Sequence, residues 1–331
     1  MNSTHKVDLL NIGLMIFSCV LAYFLPFELF LFSYAVLGPL HYLTEIIWLH
    51  RREYFSKARY DFLILGALAL LIYFLSYHSR FDTPRQHMMW ASSVVYLAFM
   101  LGFAFAMFSK MLHRFLFILA ACFLLLLIDH KIPQPHNFIR LFGLFLPTLI
   151  HVFVFTGMFI LVGALKSKSI TGIASLIVFL GCGASFFVFI PDISYHASEY
   201  VKNSYQGFYM INIELSRILG LAEIKTIPEV YSSPYSIAIS RFVSFAYTYH
   251  YLNWFSKTSV IKWHKVPKKH LMAVIGIWII ALITYGIDYN IGLQALYALS
   301  FLHVFLEFPL NHQSFVQAGN LIFRKRATVS I

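Results

Sequence analysis

The chain is a succession of continuous apolar runs, each about as long as a membrane crossing, separated by short polar stretches. In hydrocarbon every backbone N–H and C=O must find its partner inside the protein, so only helices and closed barrels can span. The runs are unbroken rather than alternating, which excludes barrel strands. A crossing helix needs about 20 apolar residues. The sequence therefore predicts an all-α, polytopic transmembrane helix bundle of ten spans, at about 8–25, 27–49, 61–77, 87–108, 112–129, 141–163, 170–190, 237–255, 270–288 and 291–310. With 331 residues so divided, little is left for a soluble head, and 1–331 is expected to form a single transmembrane domain.

Charge supports the same reading. Only 12% of residues are charged, and the net charge of +11 comes from Lys and Arg scattered between apolar runs, which argues for topology signals and against nucleic acid. Of the 25 basic residues, 17 fall on the side of both termini, including Arg51, Arg52, Lys110, Arg114 and Lys265 to Lys269, and 8 on the other. The positive-inside rule then places both termini in the cytoplasm of a multi-pass cell-membrane protein, the inner membrane in a bacterium. The first run shows no small-residue cleavage site and is read as a retained span. Cys19, Cys122 and Cys182 all lie within apolar runs, as small buried hydrophobes rather than a disulfide framework. Residues 191–236, opening on Pro191-Asp192, form the one sizeable extracytoplasmic loop. Its stretch Tyr205 to Leu221 has apolar residues at helical spacing with Glu214 and Arg217 as the polar face, which predicts a helix lying on the membrane surface.

Fifteen histidines in so apolar a chain require a reason, because ionisable residues inside spans are costly and face a partner, a cavity or a metal. His5, His78, His87, His113, His130, His136 and His196 fall in loops or at span ends. His41, His151, His250 and His303 fall inside the second, sixth, eighth and tenth spans, which all run in the same direction. Their depths from the cytoplasmic side are roughly 7 to 18 Å at 1.5 Å per residue. Four parallel helices delivering imidazoles to one layer is how a bundle builds an internal metal site, so these four are expected to converge as metal ligands.

Span two reads LHYLTEIIWLH and span ten LHVFLEFPLNH, so both carry H-x3-E-x4-H after Leu. At i and i+4 the His and Glu share a helix face. Glu45 and Glu307 are thus candidates either to orient the imidazoles or to bridge two ions directly. His50 and His312, nine residues after the first His of each copy, point half a turn away; their roles, like that of His264, stay open, with Pro309 able to break span ten near His312. Span eight carries Tyr247, His250, Tyr251, Asn253 and Trp254. Asn253 can bond a ligand or a substrate oxygen, and Tyr247, Tyr251 and Trp254 suit the wall of an apolar cleft. In span six Pro147 permits a kink just before His151. No P-loop, G-x-G-x-x-G, G-x-S-x-G or H-E-x-x-H occurs, which removes nucleotide, serine-hydrolase and zincin chemistry. Neutral imidazole and carboxylate without thiolate suit non-haem Fe2+, with copper, zinc and manganese as alternatives.

GPLHYLTE (Gly38 to Glu45) resembles the G-x-x-H-x-x-x-acid signature of the bacteriorhodopsin-related carotene-cleaving dioxygenase family (Brp/Blh), and the His of span eight and Phe301-Leu302-His303 are similar in placement to later His-bearing spans there. The resemblance implies iron ligation by His41 and His250, Glu45 at the acidic position, and cleavage of a carotenoid double bond by O2 to retinal-like aldehydes. The chain departs from the family at Tyr42, where the family has Gly, and at Asn253, where it has a second close histidine. Two other classes place His and Glu inside a bundle: a proton- or ion-coupled transporter, and a haem-binding redox protein. A lipophilic polyene or isoprenoid substrate entering sideways from the membrane lipid, with O2 as co-substrate, is the expected partner.

Overall fold

The computed structural model describes residues 3–78, 84–131, 136–190, 195–221, 224–257 and 266–327, and every regular element among them is helical. In chain order these are α1 (Ser3–Phe24), α2 (Glu28–His50), α3 (Asp61–His78), α4 (Pro84–Met107), α5 (Met111–Lys131), α6 (Ile139–Ser167), α7 (Ile170–Val188), the short α8 (Glu199–Ser204), α9 (Tyr209–Ile218) and α10 (Ile227–Ser232), then α11 (Pro234–Ser256), α12 (Lys268–Ile287) and α13 (Tyr289–Ala327). Eight of them, α1, α2, α4, α5, α6, α7, α12 and α13, are long and apolar enough to cross a membrane. Their outer faces are greasy: on α5, Leu112, Phe115 and Leu126 are 64%, 63% and 66% exposed. Polar side chains such as Ser33, Ser92 and Asn311 are 0% exposed. That reverses the pattern of a water-soluble protein and suits a surface facing lipid.

The other two expected spans, 61–77 and 237–255, are helical but differ in kind. The apolar stretch of α3 is short, Asp61–Leu75. Helix α11 has 23 residues, yet it carries Ser236, Ser240, Arg241, Ser244, Thr248, His250 and Asn253, all buried. It is surrounded by protein rather than lipid, so its polar groups find partners within the fold.

The chain packs as two compact units, Met1–His41 with Val152–Gln294, and Tyr42–His151 with Ala295–Ile331. In the first, α11 is central and packs against α1, α2, α7 and α9. Met15, Ala22, Phe179, Phe186, Phe245 and Tyr249 form its core. Gly183 on α7 is required for packing, since a Cβ there would lie 2.8 Å from the Phe153 ring. Ser169 caps α7 by accepting from Gly172 N at 3.0 Å, and its hydroxyl donates to Asp8 Oδ2 at 2.7 Å, fastening α1 to that end.

Within 191–236 the expected helix of Tyr205 to Leu221 is regular over Tyr209–Ile218; Pro191-Asp192 lie outside the described residues. A tight turn at Tyr205–Gly207 precedes α9, on which Asn212 and Ser216 are 0% exposed and Glu214 8%, while Arg217 stays exposed and pairs with Glu214 at 3.1 Å. The Asn212 amide donates to Ser236 O at 3.0 Å and Ser240 Oγ at 2.8 Å, and its oxygen accepts from Tyr205 Oη at 2.8 Å. Helix α11 supplies these partners, so burying Asn212 leaves no hydrogen bond unmade, while Ile218 and Leu219 stay exposed.

In the second unit α4 packs between α3 and α5, and α4 approaches α13 so closely at Gly102 that a Cβ would lie 2.6 Å from Phe308 Cβ. The break that Pro309 would permit does not occur: α13 runs through it as one 39-residue helix, well past the expected end at 310. Arg114, which the sequence offers only as a topology signal, is 4% exposed, donates to Asp61 Oδ1 at 2.8 Å through Nη1 and to Phe108 O at 2.8 Å through Nε. Breaking a buried ion pair leaves the other charge uncompensated, at a cost of about 3–5 kcal/mol. Arg114→Ala is therefore expected to lower the thermal midpoint of the detergent-purified protein sharply, and Asp61→Asn less so; unchanged midpoints for both would contradict this role.

Candidate metal centre

Each unit brings two of the singled-out histidines together. In the first unit His41, on α2, follows directly on a π-helical turn, Ser33–Leu37, and a Gly38-Pro39 step. That widened turn sets the side chains that follow off the regular 3.6-residue repeat. The His41 ring lies 1% exposed beside α11, with its Nε2 3.1 Å from Nε2 of His250. His250 is 7% exposed, and its Nδ1 is 2.8 Å from Thr156 Oγ1. Tyr251 and Trp254 hold His41 from the other sides, with ring centroids 5.1 and 5.6 Å away. Asn253 is buried one turn beyond His250. Tyr247 sits deeper among rings, edge-on to Phe30 at 5.0 Å and tilted to Tyr34 at 5.9 Å, in a packed cluster.

In the second unit His151 and His303, each 2% exposed, meet Nε2 to Nε2 at 3.3 Å. His151 lies in a 17-residue π-helical stretch, Ile139–Phe155, that contains Pro147. The missing proline N–H removes one bond of the ordinary ladder, and the wider winding takes the place of the kink the sequence suggested. Glu307 Oε2 is 3.3 Å from Nδ1 of His151, so this carboxylate reaches across to the other helix. The His303 ring is stacked on Tyr42 at 4.0 Å and 20°. A carboxylate oxygen of Glu45 lies within 4.8 Å of a ring nitrogen of His303. Both glutamates are 2% exposed.

The donor set fits a metal ion. Nitrogens 3.1 and 3.3 Å apart, each bonded at about 2.1 Å, subtend about 95° and about 104° at an ion, between octahedral and tetrahedral values. The opposite nitrogen of His250 is 2.8 Å from Thr156 Oγ1, and that of His151 faces the Glu307 carboxylate at 3.3 Å, the positions of outer partners that orient a ligand. No thiolate takes part.

Three participants escaped the sequence reading. Thr156 gave no signal on its own chain segment. Tyr42 registered only as a departure from a family pattern. Asn311 could have been found: with His303 and Glu307 it continues an i, i+4, i+8 stripe on α13. Its side chain is 0% exposed, and neither its oxygen nor its nitrogen has a hydrogen-bond partner among the described residues. Conversely, His50 is exposed at the end of α2 with Nδ1 3.2 Å from Tyr54 Oη. His312 Nε2 donates to Phe99 O at 2.9 Å and packs on Phe99 and Phe103, a helix-to-helix contact. His264 lies outside the described residues. No protein-family model, curated protein or solved structure matches this chain.

Proposed function

We propose that this chain is a membrane-embedded non-haem iron oxygenase that oxidises a lipophilic substrate, with oxidative cleavage of a carotenoid-like polyene as the leading reaction. The observation that carries the reading is the pair of buried imidazole couples, His41 with His250 and His151 with His303, each facing Nε2 to Nε2 at metal-ligand spacing. The histidines of each couple, within its own unit, are the proposed ligands of Fe2+. In the proposed arrangement the chain crosses the cell membrane ten times with both termini cytoplasmic, α3 and α11 being the two spans that hydropathy alone does not mark.

Iron bound by imidazole and carboxylate supplies the activation of O2, and one C=C with one O2 becomes two C=O groups. The chain's own residues do the rest. Thr156 Oγ1 lies 2.8 Å from Nδ1 of His250 and Glu307 Oε2 3.3 Å from Nδ1 of His151 as an ion-pair contact; with each ring's proton on Nδ1, its Nε2 lone pair is turned inward. Tyr42 fixes the plane of His303, and Tyr251 with Trp254 confines His41. Glu45 balances positive charge in a site from which water is excluded, where a carboxylate acts strongly. Asn311 presents an amide donor and acceptor to a guest, since a buried amide left unpaired is costly. Substrate enters from the bilayer, past exposed apolar side chains such as Leu112, Phe115 and Leu126. The test is incubation of purified, iron-loaded protein with carotenoids and other membrane lipids under O2, followed by mass spectrometry: aldehyde products from a lipid are expected, and turnover of water-soluble compounds alone contradicts the reading.

A further inference from the structure

A second site lies away from the histidines, in the first unit, where α7 ends and α11 begins. A cavity of about 1060 Å³ is lined there by Tyr195, His196, Lys202, Ser232, Ile237 and Arg241, among others. Arg241 is 2% exposed, and its Nε donates to Tyr23 O at 3.1 Å with the guanidinium over the Tyr23 ring at 5.5 Å. No carboxylate among the described residues pairs with that guanidinium. A buried charge without a counter-ion is strongly destabilising unless something of opposite sign neutralises it. Arginine is moreover the side chain best shaped to hold phosphate or carboxylate in a fork. Lys202, also at the wall, is already paired with Glu199 at 2.7 Å, which leaves Arg241 as the cation turned to the cavity among its described lining residues. The Tyr195 hydroxyl donates to Glu28 Oε1 at 2.7 Å, and burial together with that carboxylate pushes its phenol up, so the wall it forms stays a neutral phenol.

Size and setting identify the class of guest. The volume is at the upper end of small-molecule pockets and far exceeds what an inorganic anion fills. Ile190, Ile227, Pro228 and Ile237 give the cavity an apolar side. Next to it Val188 and Phe189, at the end of a membrane-crossing helix, are 85% and 66% exposed. We propose that this cavity holds the anionic headgroup of a membrane amphiphile, with the phosphate or carboxylate on Arg241 and the tail running out along Val188 and Phe189. The proposal rests on the membrane placement of the chain and not on its metal chemistry.

The test uses full-length protein in nanodiscs of phosphatidylcholine alone, of phosphatidylcholine with phosphatidylglycerol, and of phosphatidylcholine with inorganic phosphate in the buffer. A ligand that binds only the folded state raises the thermal midpoint. Phosphatidylglycerol is expected to raise it, and Arg241→Gln to weaken the apparent lipid affinity roughly ten- to hundredfold, as loss of a hydrogen bond to a charge does. Because Arg241 also holds Tyr23, Ser232→Trp provides an independent variant that fills the cavity and leaves the guanidinium in place; it too is expected to abolish the rise, and it decides the matter alone if Arg241→Gln does not fold. A rise that persists in Ser232→Trp reflects general attraction to a basic protein and overturns the proposal, as does the absence of any rise. An equal rise with inorganic phosphate, lost in the same variants, overturns the amphiphile assignment in favour of a free anion.

Discussion

Replacing His303 or His151 by Ala is expected to abolish turnover and to reduce copurified iron to background, while the protein remains helical and membrane-inserted. The two rings face each other Nε2 to Nε2 at 3.3 Å, and each is almost fully enclosed. If they hold a metal, deleting one removes a bonding atom outright, and the loss should exceed the 10- to 100-fold typical of an outer partner. If they form only a hydrogen bond between neutral imidazoles, deletion leaves one buried group unmatched, at about 1–3 kcal/mol of stability. Metal content would then be the same, near zero, in wild type and variant. The two explanations thus separate on iron per protein, not on stability. His41→Ala and His250→Ala are expected to behave in the same way, since their 3.1 Å contact has the same form. Wild-type iron content and activity in all four variants would contradict the ligand assignment.

The second large effect concerns the carboxylates. Glu307→Gln keeps the shape of the side chain but cannot carry the charge that stabilises a proton on Nδ1 of His151. A 10- to 100-fold fall in iron affinity or in kcat/KM is expected, with the helical content unchanged. Glu45→Gln should produce a comparable fall, because its carboxylate lies within 4.8 Å of His303. A residue that merely ties helices together would respond differently. Its loss would lower the thermal midpoint and leave iron affinity intact, so measuring both quantities on both variants assigns the role. Full activity and iron content in both Gln variants would make the glutamates structural.

The helices were legible because apolar length is a local property. Each of the ten expected segments coincides with a helix, including α11, which is not among those apolar enough to mark a crossing by hydropathy. Partners across helices were not legible. Nothing in a single sequence says that Asp61 meets Arg114, that Glu307 meets His151, or that Thr156 meets His250. Periodicity reports which residues share a face of one helix and is silent on which helix that face meets. The same limit explains α9: helical spacing pointed to Glu214 and Arg217, while the burial of Asn212 on its hydrogen bonds to Ser236 and Ser240 is invisible in spacing. Proline misled in two ways. Pro309 sits within a continuous helix packed against Gly102, and Pro147 lies in π-helical winding rather than at a break. The site's four histidines were singled out by their cost in an apolar setting, a local signal. Asn311 carries that same signal and went unread because it lies between two more conspicuous residues, Pro309 and His312.

The most direct measurement is metal analysis of the purified wild-type protein together with its optical spectrum. Iron bound to the protein with no Soret band is the result this account predicts. A Soret band would identify the histidines as haem ligands, and the absence of any bound metal, even after anaerobic loading with Fe2+, would contradict the metal centre and leave the buried histidines to proton or ion movement across the membrane.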